Sequence, residues 1–517
     1  MNPGQTYHGD LENINLATGN LYIELHPVDL PGRNGHNLDI SLGYNSQIWH
    51  LASQVQRVAD SQGQIGTITY WWWDTATDPL AQQHPAGWFG FGQWPGVLYD
   101  LQQMVYQTYI NNVTGPPSYW RHEFCDTNFR LVMPDGGVHS FPGMRRNCYW
   151  DDQSTDPFPY PNVLVGDTDT TDPLWMRLDW SGQQILYSAD GTRVGLNGFE
   201  DSNGNTITQH VGLPLPPTFT DTLGRVVQLP FQPSQAQQPQ NGTNPNSIIY
   251  VDSNGVQRTI TLNYLMNFTT QGAFSNPPPA TNNGAGTYSM RAMTCSASSP
   301  CQWQGRLSSL VLPNGLTYTF HYNNSFGELD QITYPGGGYT RYDYATFQHY
   351  PGNQPETPAG PWDYREVIAK HVCRAAVVAP GTLTYTAPGA VPGNTCPVPE
   401  DTTTYAPVIN SNNFSNASTT ITDPLGNVTV VQFTGGSPPF ETRRMVYDNA
   451  NHLLRTLDTT FPTYGQNNPC NPPSCLYKTE TTTLDNGLVA KTEWITKLPC
   501  ACTACPWPSA LVVAPKT

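Results

Sequence analysis

Five stretches carry side chains whose types and spacing suit chemistry. Gly166-Asp167-Thr-Asp169-Thr-Thr-Asp172 presents three carboxylates, Asp167, Asp169 and Asp172, at separations a calcium loop uses, since hard divalent cations take closely spaced oxygen ligands. It lacks the central glycine and distal glutamate of a full EF-hand loop, so a solvated acidic loop competes with calcium. Cys500-x-Cys502-x-x-Cys505 offers thiolates, but His452 is too distant in sequence to be a local fourth ligand, and a disulfide or an unstructured tail is the alternative. His122 and Cys125 pair a base with a nucleophile, without an identifiable acid or oxyanion element. Asp74, Asp78 and Glu123 would supply the two carboxylates that a glycan-active enzyme needs at a defined separation. Asp423-Pro424 has the makeup of a cleavage site but sits in an ordinary turn. Each set is incomplete, and the expectation is a chain with no catalytic residue, no cofactor and no resident metal. Trp71-Trp72-Trp73 and Gly87-Trp88-Phe89-Gly90-Phe91-Gly92 add an aromatic, glycine-rich patch. It reads as core packing with bulged strands or as a surface on which sugar rings stack.

The elements that would position these residues are short strands. From Leu307 to Tyr344 the chain reads as four of them joined by three tight turns. Leu316, Tyr318, Phe320 and Tyr322 alternate with Thr317, Thr319 and His321, the period of two that sends alternate side chains to opposite sheet faces. Pro313-Asn314-Gly315 makes the first turn, Asn323 through Gly327 the second and Pro335–Gly338 the third, Asn and Gly tolerating the positive φ of tight hairpins. The same outline recurs at Asp135-Gly136, Asp190-Gly191, Asn203-Gly204, Leu223-Gly224, Asn254-Gly255 and Leu425-Gly426, and again at Asn451, where a glycine is expected. This is a degenerate repeat of about twenty residues, the mark of an array in which each unit buries its face against its neighbours. The aspartates at 201 and 252 read as Asx-type caps of such turns. Long polar insertions at 151–174, 230–248, 272–304, 350–364, 375–418 and 461–476 read as surface excursions. Residues 47–58 read as a short helix, and 98–105 fits helix or strand.

Composition points the same way. Charged residues are 12%, about half the usual share, and the 45 glycines and 48 prolines together reach about 18% of the chain against roughly 12% normally. The net charge of −16, with Arg145-Arg146 and Arg443-Arg444 no more than doublets, argues against nucleic acid and anionic membranes. No run of 18 apolar residues exists, so no membrane span is expected, and no leader is visible in the first thirty residues. Eleven cysteines, with Cys295–Cys301 and Cys470–Cys475 close in sequence and Cys125–Cys148 and Cys373–Cys396 looser, point to disulfides and an oxidising compartment.

The chain resembles Rhs and YD-repeat proteins. The residues that carry the resemblance are Tyr342-Asp343 and Tyr447-Asp448, Asp201-Ser-Asn-Gly204-Asn, Asp221-Thr-Leu-Gly224-Arg225, Pro313-Asn-Gly315 with Tyr322, Tyr334-Pro335-Gly336-Gly337, and Asp423-Pro-Leu-Gly426-Asn. Thr18-Gly-Asn20, Leu30-Pro-Gly32, Tyr44-Asn-Ser46 and Gly87-Trp88 resemble the segment before the repeats, and together these phrases cover about 11–460. The resemblance implies an all-β fold, an array of hairpins forming a curved, spiralling strip, part of a shell, with long loop insertions. The expected organisation is a pre-repeat segment over 1–120, a repeat strip over 121–460 and a Cys/Pro-rich tail over 461–517. It implies a non-catalytic, secreted or cell-surface scaffold of a toxin-delivery or cell-contact system, with an associated toxin domain or a cell-surface glycan as partner. A glycan-binding module and a carboxylate-pair enzyme are the alternatives. The self-cleavage segment that closes the shell in toxin-bearing members is not found, and the repeats are too few for a complete shell, so a partial member is expected.

Overall fold

The computed structural model describes residues 6–8, 11–59, 65–74, 87–90, 97–111, 119–132, 138–152, 155–168, 176–195, 198–212, 215–230, 246–265, 268–270, 289–291, 301–303, 306–349, 362–374, 396–410, 416–433, 441–460, 475–496 and 514–516. They are almost entirely strand. The dominant feature is one antiparallel sheet of 23 strands, running from Val165–Asp167 to Ala514–Lys516 and not closed into a barrel. Along it each strand pairs with the next in this sheet, as expected when short hairpins follow one another. The one long detour lies between Gln257–Leu265 and Arg306–Val311, which pair directly. Within it Phe268–Thr270 pairs Cys301–Trp303, and Ser289–Arg291 runs parallel to Ile65–Asp74.

Nine hairpins of this sheet share one turn. In those beginning at Ser188, Asp201, Asp221, Asp252, Leu312, Tyr334, Asp423, Asp448 and Leu484, the fourth residue donates its N–H to the first residue's carbonyl, and the first donates to the fifth. The fourth residue has positive φ in every case, the pattern of a type I turn closed by a bulge in the left-handed region. Eight are glycine and one is Asn451 at φ 64°, the non-glycine residue that tolerates this region best. Because strand direction alternates, all nine turns fall on one edge of the strip. The connections 229–246, 266–305, 350–361, 461–474 and 497–513 leave from the other, with 374–400 the long exception. At Gly426 an added Cβ would also meet Asn449 Cβ at 3.3 Å. Gly426→Ala is therefore expected to cost about 1–2 kcal/mol, and Gly426→Asn less, as read from urea unfolding midpoints.

The N-terminal segment forms a five-stranded sheet from Thr6–His8, Glu12–Asn15, Asn20–Leu30, Leu38–Asn45 and Gly87–Gly90. It packs on the strip, and one core joins them: Ile14, Leu21, Ile23, Leu38, Ile40 and Tyr44 meet Phe219, Ile260, Leu310, Phe320, Tyr322, Ile332 and Tyr342. Strands after Phe433 lie outside this cluster, and Leu453, Leu454, Leu488 and Val489 are exposed there. A separate four-stranded sheet, Val97–Ile110, Tyr119–Val132, Val138–Phe141 and Arg146–Trp150, precedes the strip. A second core, with Phe129, Leu131 and Phe141 against Met176, Leu178 and Leu186, binds it to the first strip strands. The long sheet thus starts at Val165 and continues past 460, through Cys475–Leu484 and Val489–Thr496.

The helix expected over 47–58 is not formed. His50–Ala59 is a strand in a ten-residue antiparallel register with Ile65–Asp74, whose β-branched and aromatic run favours sheet and supplies the pairing that local spacing leaves open. The ambiguous stretch 98–105 lies within the strand Val97–Ile110. Two disulfides are present, Cys125–Cys148 and Cys373–Cys396, each spanning 23 residues and each worth about 3 kcal/mol in the loop-entropy model. The side chains of the two closer pairs, Cys295–Cys301 and Cys470–Cys475, lie outside the described residues.

Candidate functional site

Two constellations stand out among the described residues, one buried and one exposed. The buried one holds the N-terminal segment on the strip. The turn Leu16–Gly19 feeds its carbonyls to strip donors: Asn416 N–H donates to Ala17 at 2.8 Å, Val367 N–H to Gly19 at 3.0 Å, and the Thr419 hydroxyl to Leu16 at 2.6 Å. The Asn416 side-chain amide donates both to the Leu16 carbonyl, at 3.0 Å, and to Glu366 Oε2, at 3.1 Å. Glu366, 1% exposed, holds His349 Nε2 at 2.5 Å through its other oxygen, and His349 is fully buried. Nearby, Lys370 pairs with buried Glu12. Further along, the Trp49 indole donates to the Phe326 carbonyl at 2.7 Å, and Leu329 N–H donates to the Tyr44 hydroxyl at 2.7 Å. These polar groups satisfy backbone that two packed sheets would otherwise bury unpaired.

The exposed constellation lies on the four-stranded sheet. Cross-strand pairs Tyr109↔Trp120, Gln107↔His122, Met104↔Phe124 and Phe124↔Tyr149 put these seven positions, Phe124 shared, on one face. Trp120 and Met104 are each 54% exposed, Tyr109 52% and Tyr149 36%. Tyr109 and Trp120 lie 5.3 Å apart and tilted, while Phe124 and Tyr149 stack at 5.7 Å. Between them His122 Nδ1 meets Asp151 at 2.7 Å. The opposite face is closed by the chain after Trp150, where Trp150 stacks on Phe158 at 5.6 Å and Arg145 lies over Tyr160.

Glu123 points to that closed face. It is fully buried, its Oε2 has no hydrogen-bond partner, and desolvation pushes its carboxyl up, against a smaller opposing pull from the Tyr160 backbone and Arg145. A raised carboxyl value stabilises the fold below the ordinary carboxylate range and loses that contribution as pH rises through the folded value. Glu123→Gln, neutral at all pH, is expected to raise the thermal midpoint at pH 7, with the gap to wild type closing toward pH 4.

The other sequence candidates fall as follows. Asp167 makes a two-pronged bond to Arg177, at 2.7 and 3.0 Å, while Asp169 and Asp172 lie outside the described residues. Glu123, Cys125 and Cys148 have ligand atoms within 4.8 Å of one another, but the two sulfurs are bonded to each other, which removes both as thiolate ligands and Cys125 as a nucleophile. The side chains of Asp74, Asp78, Trp71–Trp73, Trp88, Cys500, Cys502 and Cys505 lie outside the described residues.

Asp201, Asp221, Asp252, Asp423 and Asp448 each accept backbone N–H groups within their own turns, joined by Arg225 at Asp221 and His452 Nδ1 at Asp448. Four have lowered carboxyl values. Side-chain donation from Asn205 leads at Asp201, and backbone N–H groups of Val256 and His452 lead at Asp252 and Asp448; at Asp423 burial opposes, but the hydrogen bonds together outweigh it. Lowered values contribute stability above the unfolded carboxylate value that is lost as pH falls through the folded one. An acid titration of the thermal midpoint should show this loss below about pH 4, and show less of it in a variant with Asn at 201, 252, 423 and 448.

Tyr322 and Tyr342 are buried, the Tyr322 hydroxyl bonding the Leu307 carbonyl at 2.5 Å, while Tyr447 is half-buried. Asp343 is lowered chiefly by its 2.9 Å bond to His371. Pro313, Gly315, Pro335, Gly337, Gly204, Gly224 and Gly426 form turns on the shared edge. Sequence reasoning missed the exposed face and the Glu366 cluster. A scan of the chain against protein-family models finds no match, and neither does a search of curated proteins.

Proposed function

We propose that the protein is a non-catalytic β-strip scaffold of the Rhs/YD-repeat type that works in cell contact or toxin delivery outside the cytoplasm, with a toxin domain as associated cargo. The observation that carries this reading is the nine-fold recurrence of one turn along one edge of a 23-stranded sheet. Such regularity builds a long rigid surface. The two disulfides support an extracellular setting. Two buried acids of the described residues are closed off from substrate: Glu123 is sealed beneath the 155–160 segment, and Glu366 is held by His349 and Asn416. The purified chain should release no reducing ends from a panel of polysaccharides. Turnover that Glu123→Gln abolishes would overturn the reading.

A second reading, a glycan- or surface-binding module, is favoured by the exposed aromatic face and is compatible with the first.

A further inference from the structure

We propose that the outward face of the four-stranded sheet is a binding platform for a neutral oligosaccharide, held by its pyranose rings on Trp120 and on the Phe124–Tyr149 stack. The proposal rests on the scaffold reading and gives that scaffold its ligand. Sugar recognition needs flat apolar rings for the C–H faces of pyranoses, and polar groups set among them for the hydroxyls. This face has both. Trp120, His122 and Phe124 alternate along one strand, and His122 and Phe124 are themselves ring neighbours at 6.3 Å, so the row continues through Phe124 to Tyr149. Trp120 and Phe124 are four residues apart on a strand, about 13 Å, the reach of a short oligosaccharide. Gln107, His122 and Asp151 sit beside the row, with His122 and Asp151 each about one-third exposed and already oriented by their mutual bond.

The platform is also rigid. The disulfide Cys125–Cys148 ties the central strand to its neighbour, Tyr109 braces Trp120, and the covered inner face fixes the sheet from behind. Rigid rings lose little freedom on binding, and the cost of ordering side chains is what limits weak polar recognition.

Charge selects the occupant. The imidazole on this face is spent: His122 is held by Asp151 at 2.7 Å, while Arg121 points to the closed face, over the Trp150 ring. Asp151 sets a carboxylate within the face on a chain of net charge −16, which disfavours sialylated or sulfated chains and acidic peptides. A protein partner would favour an apolar centre with polar groups confined to the rim, whereas His122 and Gln107 lie inside the row between the two ring pairs.

The test uses the full chain on an array carrying neutral, sialylated and sulfated oligosaccharides, followed by calorimetric titration of the best ligand. Neutral glycans should bind. Trp120→Ala and Phe124→Ala should each weaken binding at least tenfold, and Trp120→Phe should retain most of it. Circular dichroism should be unchanged for Trp120→Ala, since the side chain is more than half exposed. Three results would overturn the proposal: no neutral glycan bound at millimolar concentration, a preference for acidic glycans, or binding indifferent to Trp120→Ala. A fourth is self-association in sedimentation that Trp120→Ala abolishes, which would make the face a contact between copies. Reducing ends are assayed in the same samples, so loss of binding without turnover defeats this inference alone, while turnover defeats the scaffold reading.

Discussion

Gly19→Ala is expected to destabilise the protein by about 3 kcal/mol, combining a left-handed backbone cost with overpacking. Gly19 has φ +62°, and a Cβ there would lie 2.3 Å from Glu366 Cβ and 2.5 Å from both Glu366 Cγ and Oε2. The turn cannot retreat without breaking the bonds that Val367 and Asn416 make to its carbonyls. Gly35→Ala is the control: its φ is +78°, but nothing lies within 4 Å of the added atom. It should show the backbone cost alone, about 1–2 kcal/mol. Urea unfolding of the two variants separates conformational strain from the clash at the docking site.

Glu366→Ala should cost about 3–5 kcal/mol, the loss typical when one partner of a buried polar pair is removed. It strips the acceptor from His349 Nε2 and from the Asn416 amide, neither of which water can reach to compensate. His349 Nδ1 and Asn416 Oδ1 already lack partners, so the site has no spare bond to offer. Glu366→Gln keeps the shape and one acceptor and should cost markedly less. If the two variants lose the same stability, the pairing described at Glu366 is not what holds the cluster.

Much of the fold was legible in the sequence because its signals are local. A glycine or asparagine three residues after an aspartate is enough to mark a turn, and Asn451, which stands where the series has glycine, takes the same left-handed backbone at φ 64°. The alternation of Phe320 and Tyr322 with Thr319 and His321 announced a strand with a buried row, and both aromatics are fully buried. His50–Ala59 is a strand where local spacing suggests a helix over 47–58, because that spacing is weak and the partner strand decides its state. The docking cluster was illegible for a different reason. Gly19 is hundreds of residues from Glu366 and Asn416, which are themselves 50 apart, and nothing near any of them in sequence marks the contact. The exposed face falls between these cases. Trp120, His122 and Phe124 alternate visibly, but only the register with Val97–Ile110 shows that Tyr109 and Met104 share their side. The denser tryptophan run at 71–73 is the stronger aromatic signal in the sequence, and its side chains are not among those described.

Hydrogen exchange on the intact chain tests most directly whether the N-terminal segment and the strip form one scaffold. Peptides covering 11–30 and 306–347 should fall in the same slowest class, and Gly19→Ala should accelerate both by a common factor. Opening of residues 11–49 at rates orders of magnitude faster than 306–347, with the strip still protected, would contradict it.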